Sequence, residues 1–143
     1  MTRPPNLKTA MTPFPYSVGL DASLEEARQL MQEHRVRHLP VTEAHTVVGL
    51  VTDRDIRMAQ SSSKPANAGA LKVSDLYISD PYIVSLDEPI DNVLLVMAER
   101  HIGSAIITKA GRLAGMFTAV DACRCFGEYL RANFPRPGSD NAA

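Results

Sequence analysis

A threonine followed three residues later by an aspartate occurs at equivalent places in two segments of this 143-residue chain. The segments are residues 49–55, GLVTDRD, and residues 115–121, GMFTAVD. Each reads as a strand running into the start of a helix, where free backbone amides and a partial positive charge favour phosphate. A threonine hydroxyl can donate to a phosphate oxygen there, and an aspartate can accept both hydroxyls of a cis-diol such as ribose. The spacing therefore favours a phosphorylated, diol-bearing ligand at two places.

A purely structural role also accounts for these residues. Thr52 and Thr118 are good helix N-caps, and Asp55 and Asp121 suit the positive end of a helix dipole. A single isolated copy of the pattern favours this structural role. The presence of a second copy at the same place favours ligand binding.

Those two segments belong to a longer internal repeat. Residues 15–57 align with residues 81–123 without a gap at a spacing of 66 positions, and identical pairs include Tyr16/Tyr82, Met31/Met97, Gly49/Gly115, Thr52/Thr118 and Asp55/Asp121. Two copies are too few for a solenoid. The repeat predicts a domain with a pseudo-twofold axis, in which any ligand groove formed by one copy recurs in the other.

Each copy predicts the element order βαββα. In the first copy, Ser23 can cap the amide of Glu26 while the Glu26 carboxylate reaches back, as in a capping box, and apolar positions 24, 27, 30 and 31 form one helical face. Residues 39–42 and 46–52 are β-rich. In the second copy, Pro89 is expected just inside a helix at residues 90–101. Strands follow at 104–108 and 112–118, and a longer helix at 119–133.

The predicted fold class is α+β, with two βαββα repeats packed with pseudo-twofold symmetry. The first repeat is placed at residues 7–60 and the second at residues 73–133. The segment between them, residues 61–72, is rich in Ser, Pro, Gly and Ala and is predicted to be a flexible linker. Residues 134–143 are predicted to form a disordered tail.

Composition argues against several classes of partner. The net charge is −1, with 45% hydrophobic and 22% charged residues, so no strong field attracts nucleic acid or an acidic membrane. No apolar run approaches a membrane span, and the start of the chain lacks the apolar core of a signal peptide.

Cys123 and Cys125 are too close for an ordinary disulfide on one helix, and Cys123 is expected to pack beside Phe126. A cytoplasmic setting is expected.

No enzyme is expected, because no nucleophile–base pairing or glycine-rich phosphate loop is visible. The four histidines lack metal-ligand spacing, so no metal site is expected. His34, Arg35, Arg37 and His38 form a cationic cluster where a helix meets a strand. Two interpretations of it stay open: a solvated helix C-terminus and a contact for polyphosphate.

Residues 7–130 resemble the tandem cystathionine-β-synthase (CBS) domain pair, or Bateman module. The resemblance rests on the lead-ins at 11–13 and 73–76, on residues 37–41 (RHLPV) and above all on residues 48–56 (VGLVTDRDI); the second copy matches less closely. It implies two small sheets packed together with two clefts between them. Similar modules bind AMP, ADP, ATP or S-adenosyl ligands there and regulate attached or partner proteins, with no cofactor required.

The resemblance also implies roles for particular residues. Asp55 and Asp121 would hold ribose, and Thr52 and Thr118 the first phosphate, with Arg54 as a further phosphate partner. The adenine pockets would be lined near Tyr16, Arg37, His38 and Leu39 in one copy and Gly103, Ser104 and Ala105 in the other. Val120 replaces Arg54 in the second copy, so the two clefts are not expected to be equivalent.

Three functional classes remain from the sequence. The favoured one is a regulatory module that senses adenine nucleotides and signals to a partner protein; the others are a ligand-free structural dimerisation module and a small nucleotide enzyme. A homodimer is expected, because the predicted helix at 90–101 is apolar beyond one core face, through its residues within 90–97, and the last helix adds Phe126, Tyr129, Leu130 and Phe134. Coverage of this surface by the N-terminal segment or the last helix of the same chain is the alternative.

Overall fold

The computed structural model describes residues 4–13, 16–62 and 71–138, and the two predicted βαββα units are present. The first unit consists of β2 (Val18–Gly19), α2 (Leu24–His34), β3 (His38–Glu43), β4 (Thr46–Thr52) and α3 (Asp53–Ser62). The second consists of β5 (Ile83–Ser85), α4 (Ile90–Arg100), β6 (Ser104–Lys109), β7 (Arg112–Thr118) and α5 (Ala119–Asn133). Each unit has a lead-in: α1 (Leu7–Ala10) with β1 (Thr12–Pro13), and a 3₁₀ turn (Val73–Asp75).

The repeat extends to details of the backbone. The β3–β4 hairpin shifts register between Val41 and Thr42, and the β6–β7 hairpin shifts between Ile107 and Thr108, positions that are 66 residues apart. Left-handed residues end the equivalent helices, with φ 55° at Arg35 and φ 54° at His101. The two units therefore share one backbone design, although most of their side chains differ.

The helix starts confirm some capping predictions and correct others. The Ser23 hydroxyl accepts a hydrogen bond from the Glu26 amide at 3.0 Å, but the reciprocal bond predicted from Glu26 is absent among the described residues, and Glu26 is exposed. Pro89 is the N-cap of α4 rather than its first residue, because its ψ of 133° is not helical. The helix ends at Arg100, where His101 turns left-handed.

Two sheets lie back to back with the helices on their outer faces. Their strand orders are β2-β3-β4 and β1-β7-β6-β5. In each unit the first strand runs parallel to the second, and the next two form an antiparallel hairpin. A separate apolar cluster of Leu50, Ile106 and Met116 joins residues from both units. This cluster provides the contact across the pseudo-twofold axis.

The lead-in segments are exchanged between the units, which the sequence did not predict. β1 pairs with β7 of the second unit, Thr12 opposite Met116, whereas Ile78 bridges to Leu50 of the first unit. Leu7 lies fully buried in the core of the second unit, and Val73 is equally buried in that of the first. Each unit is therefore completed by the segment that precedes the other.

Some predictions fall outside the described structure. Most of the linker predicted at residues 61–72 and residues 139–143 of the predicted tail lie outside the described residues. Within the described ranges, no helix has both the length and the apolar character needed to cross a lipid bilayer.

Candidate functional site

The first Thr–Asp pair lies at the junction of β4 and α3. Thr52 is the last residue of β4, and its hydroxyl accepts a hydrogen bond from the Asp55 amide at 3.2 Å. The hydroxyl thus bonds at the helix start as the N-cap interpretation expected. The carboxylate of Asp55 is partly buried and has no hydrogen-bond or ion-pair partner among the described residues. It is free to accept the hydroxyls of a ligand.

The second pair is internally bonded. Thr118 caps α5 and accepts from the Asp121 amide at 3.3 Å, while Asp121 Oδ2 accepts from the Thr118 amide at 2.9 Å. Asp121 Oδ1 lies 3.4 Å from the Thr12 hydroxyl and 3.7 Å from Nη2 of Arg124. Arg124 in turn donates to the Ala10 carbonyl at 2.9 Å. Both oxygens of this buried carboxylate are already in use, and the exchanged N-terminal segment supplies one of their partners.

Strand register brings the predicted adenine-lining residues beside the threonines. His38 pairs with Thr52 and Ser104 pairs with Thr118. The residue before each of these strands is hydrogen-bonded to the first residue of the following helix. The Arg37 carbonyl accepts from the Asp53 amide at 2.9 Å, and the equivalent Gly103 carbonyl accepts from the Ala119 amide at 2.9 Å. A strand and a helix N-terminus thus meet at each candidate site, as the residue pattern predicted.

Several of the predicted side chains face away from solvent. Leu39 and Ala105 are fully buried in the two cores, and Ser104 is also buried, so Leu39 and Ala105 offer mainly backbone to a ligand. His38 lies across the axis near Gly103, where an added β-carbon would be 3.9 Å from His38 Nε2. Burial, and then the adjacent positive charge of Arg37, lower the pKa of His38. The imidazole is therefore neutral at neutral pH, when it can both donate and accept a hydrogen bond.

The equivalent residues Tyr16 and Tyr82 make different contacts. The Tyr16 ring stacks on His34 with centroids 3.4 Å apart and planes at 11°. The corresponding Tyr82 instead lies under Arg100, with 5.4 Å between the guanidinium carbon and the ring centroid. Tyr16 is 47% exposed.

The glycine of each motif is required by the exchanged segments. A β-carbon on Gly49 would overlap the Tyr77 ring and the Ile78 carbonyl, and one on Gly115 would lie 2.8 Å from the Thr12 carbonyl. Sequence reasoning did not identify this role, because the contacts come from segments far away in the chain. The two glycines allow close backbone approach and need no ligand to explain them.

Two cavities lie on the helical side of the units rather than at the Thr–Asp pairs. One of about 400 Å³ between α2 and α3 is lined by several arginines, including Arg37, together with Asp53. The other, of about 510 Å³, is apolar and lies between α4 and α5, where Leu94, Phe126 and Tyr129 meet. The sequence analysis missed both, because each combines residues from two helices.

The cysteine prediction was wrong in its choice of residue. Cys123 is exposed, whereas Cys125 is partly buried and packs against the second core. Burial raises the pKa of the Cys125 thiol, which disfavours the reactive thiolate. In residues 4–13, 16–62 and 71–138, no three His, Cys, Asp or Glu side chains lie together as metal ligands would.

Sequence comparison identifies the repeat. The family sequence profile of the CBS domain matches residues 7–62 and again residues 73–128. A Bacillus subtilis protein, YlbB, is 32% identical over 123 residues, which cover 85% of this chain and 80% of that protein. An inosine-5'-monophosphate dehydrogenase of Korarchaeum cryptofilum is 34% identical over 106 residues, which cover 73% of this chain. The match spans only 21% of that enzyme.

Solved structures show the same fold. A CBS domain pair crystallised with 5'-methylthioadenosine and S-adenosyl-L-methionine superposes with a TM-score of 0.79 at 23% identity, covering 89% of this chain and 99% of that one. CBSX2 in complex with AMP gives a TM-score of 0.74 at 24% identity, covering 88% and 98%. At these sequence identities, structural similarity establishes a shared fold and not a shared ligand. Two family matches at a 66-residue spacing, together with this architecture, confirm the predicted fold class, and the chain belongs to the CBS domain family as a pair of CBS domains.

Proposed function

We propose that this CBS domain pair is a regulatory module that binds adenosine-bearing ligands, such as AMP, ADP, ATP or S-adenosylmethionine, without transforming them. The observation that carries the proposal is the duplicated Thr–Asp geometry. In each unit a threonine stands at the start of a helix, an aspartate follows one turn later, and a paired strand lies alongside. CBS pairs of the same fold have been crystallised with S-adenosyl ligands and with AMP.

Each group in the motif has a proposed role. The carboxylates of Asp55 and Asp121 accept the ribose hydroxyls, and the hydroxyls of Thr52 and Thr118 donate to the first phosphate. Arg54 adds a charge near the first site that Val120 does not supply at the second. Adenine lies against Tyr16, His38 and the neighbouring backbone at the first site, and against residues 103–105 at the second.

The two sites should differ in affinity. Asp55 has no described partner, whereas Asp121 is held by Thr118, Thr12 and Arg124. A ribose at the second site must therefore displace existing hydrogen bonds, and the gain is the difference between old and new bonds. We expect the first site to bind adenosine phosphates more tightly, to prefer more phosphates, and to lose affinity more steeply as salt screens its cations.

Isothermal titration calorimetry with AMP, ATP and S-adenosylmethionine tests the proposal. Asp55→Ala and Asp121→Ala should each weaken one site by about 10- to 150-fold, the effect of losing a hydrogen bond to a charged group worth about 1.5–3 kcal/mol. Asp91→Ala is the matched control, since Asp91 lies in the first turn of α4, away from either motif. Unchanged isotherms in both motif variants would rule out the ribose assignment, and equal salt slopes would contradict the difference between sites.

A ligand-free dimerisation module is the second candidate, and a specific surface favours it. Exposed apolar side chains lie on α4 (Leu94, Leu95), on α5 (Phe126, Tyr129) and at the C-cap of α5 (Phe134). Self-association through this surface is compatible with ligand binding, so we propose a homodimer in either case. If none of the three ligands binds the wild-type chain at millimolar concentration, the structural role becomes the better account.

The proposed output is control of a partner protein in the cytoplasm. The net charge of −1 gives no general attraction for nucleic acid or an acidic membrane, so a protein partner is the simplest receiver of the signal. Product analysis after prolonged incubation with ATP separates this proposal from a small nucleotide enzyme. The regulatory proposal requires that the nucleotide be recovered intact.

A further inference from the structure

The cavity of about 400 Å³ between α2 and α3 carries a strong positive charge. Four arginines, Arg28, Arg35, Arg37 and Arg57, line it together with the carboxylate of Asp53. We call these four residues and their cavity the arginine pocket. Its lining has a net of three positive charges in a chain whose overall net charge is −1. This concentration of one sign suggests an anionic occupant.

The existing ion pairs leave these cations available. Arg57 pairs with Asp53 at 3.0 Å and Arg28 pairs with Glu25 at 2.7 Å, but the Arg57 side chain is 77% exposed and the Arg28 pair is solvent-accessible. Exposed ion pairs of this kind are weak and exchange readily. Arg35 and Arg37 have no ion-pair partner among the described residues. A ligand can therefore engage the pocket without breaking a buried interaction.

The second unit provides an internal control for the fold. At the positions 66 residues later, the four arginines become Leu94, His101, Gly103 and Cys123. The same backbone forms there without them, and Leu94 and Cys123 line the apolar cavity between α4 and α5 instead. The arginines are thus not needed to build a CBS unit.

Helix electrostatics explain only part of the cluster. Arg35 is the C-cap of α2, where a cation is stabilised by the helix dipole. Arg28 is in the middle of α2 and Arg57 in the middle of α3, where the dipole contributes little. The helix dipole therefore does not explain why Arg28 and Arg57 both line this cavity.

We propose that the arginine pocket binds a small anion carrying several phosphate groups. Guanidinium groups match phosphate oxygens in a two-pronged geometry and are weakly hydrated, which suits them to this ligand class. A volume of about 400 Å³ is within the range of small-molecule sites, about 300–1,000 Å³. Several arginines around one cavity favour a polyphosphate over a single carboxylate.

The phosphates have two sources that the pocket would recognise by the same chemistry. The Asp53 amide is bonded to the Arg37 carbonyl beside Thr52, so the pocket adjoins the first proposed nucleotide site. It receives either a free inorganic polyphosphate or the outer phosphates of a nucleotide whose ribose is held by Asp55. The second source rests on the proposed function, whereas the first does not.

Calorimetry with the full chain tests the pocket, using inorganic tripolyphosphate as the probe. The double variant Arg28→Gln/Arg57→Gln should bind tripolyphosphate at least about tenfold more weakly than wild type, since two charge-assisted contacts are lost. Arg112→Gln, on the exposed turn side of β7, is the matched control and should leave binding unchanged. Circular dichroism should show the same folded state in all three proteins, because the substituted side chains are partly or largely exposed.

Further titrations distinguish the sources and the alternatives. An effect of the double variant on tripolyphosphate but not on ATP identifies a free anion; an effect on ATP but not on AMP identifies the outer phosphates of a nucleotide. Either result supports the pocket. The pocket proposal is overturned if the wild-type chain binds neither tripolyphosphate nor ATP. It is also overturned if the double variant binds both ligands as tightly as the wild type does. Stronger binding of an acidic peptide than of tripolyphosphate also overturns it, in favour of a protein partner.

Discussion

At the scale of single residues, identical side chains in the two repeats do different things. Asp55 and Asp121 occupy the same place in the repeat, yet only Asp121 has its oxygens engaged by neighbours among the described residues. The difference comes from residues outside the motif: Thr12 and Arg124 correspond to Ile78 and Met58 in the other repeat. A motif match therefore identifies a carboxylate without saying whether it is available to a ligand.

The motif glycines lead to a residue-scale prediction. Gly49→Ala and Gly115→Ala should each lower the free energy of unfolding by about 1–3 kcal/mol, because the added methyl group meets backbone that passes directly over the strand. Urea unfolding monitored by circular dichroism measures the loss.

Gly127→Ala is the control for that experiment. Gly127 is inside α5, and a β-carbon added there would meet open space, so alanine should stabilise the protein by about 0.5–1 kcal/mol. Motif variants that are as stable as the wild type would show that the exchanged segments do not pack as described.

At the scale of elements, the exchanged lead-ins make the core of each repeat depend on a segment that precedes the other repeat. α1 contributes Leu7 to the second core, and the 3₁₀ turn contributes Val73 to the first. Neither βαββα unit has a complete core without a segment that precedes the other unit. The segment that leads into one unit therefore lies against the motif of the other, Thr12 at Asp121 and Ile78 at Leu50.

Truncating a lead-in side chain should destabilise the repeat that it packs against, not the one that it precedes. Leu7→Ala should cost about 2–5 kcal/mol because Leu7 is fully buried. In hydrogen exchange, the greatest loss of protection should be in α4 and β6. Val73→Ala should instead affect α2 and β3.

Lys8→Ala is the control, since Lys8 is exposed on the same short helix. If Leu7→Ala lowers protection chiefly in the first unit, the exchanged arrangement is wrong.

At the scale of the whole molecule, the helical faces of the two units have opposite character. Arg28 and Arg57 line the cavity between α2 and α3, whereas Leu94 and Cys123 at the equivalent positions line the apolar cavity between α4 and α5. α1 does not cover the second surface, because Leu95 remains 68% exposed and Phe126 62% exposed within the described structure. An apolar face of this kind on a folded chain favours association with a further surface, which supports the proposed homodimer.

Light scattering tests the homodimer. The wild-type chain at tens of micromolar should show twice the monomer mass of 15.6 kDa, and Leu95→Glu should give the monomer, since a charge on the apolar face must be desolvated on association. The variant should remain folded because Leu95 is exposed.

Gln29→Glu places the same charge at the equivalent position of α2, where the side chain is also exposed, and should leave the dimer intact. A monomeric wild-type protein would refute the proposal.

The sequence by itself determined the repeat, the order βαββα and the places of the two Thr–Asp pairs. These follow from local patterns: β-rich runs in the strands, helical periodicity, a capping serine at Ser23 and a fixed spacing of 66 residues. Such signals are contained within short windows, so they are readable without knowledge of distant contacts.

Only the tertiary structure decided how the repeats are completed and how their sites differ. The apolar lead-in residues Leu7 and Val73 are compatible with either core, and the pairing of Thr12 with Met116 joins positions about a hundred residues apart. The bond from Thr12 to Asp121 and the bond from Arg124 to the Ala10 carbonyl depend on that exchange, as does the need for glycine at Gly49 and Gly115. Contacts between segments far apart in the chain leave no periodic signal in the sequence, so they emerge only when the chain is folded.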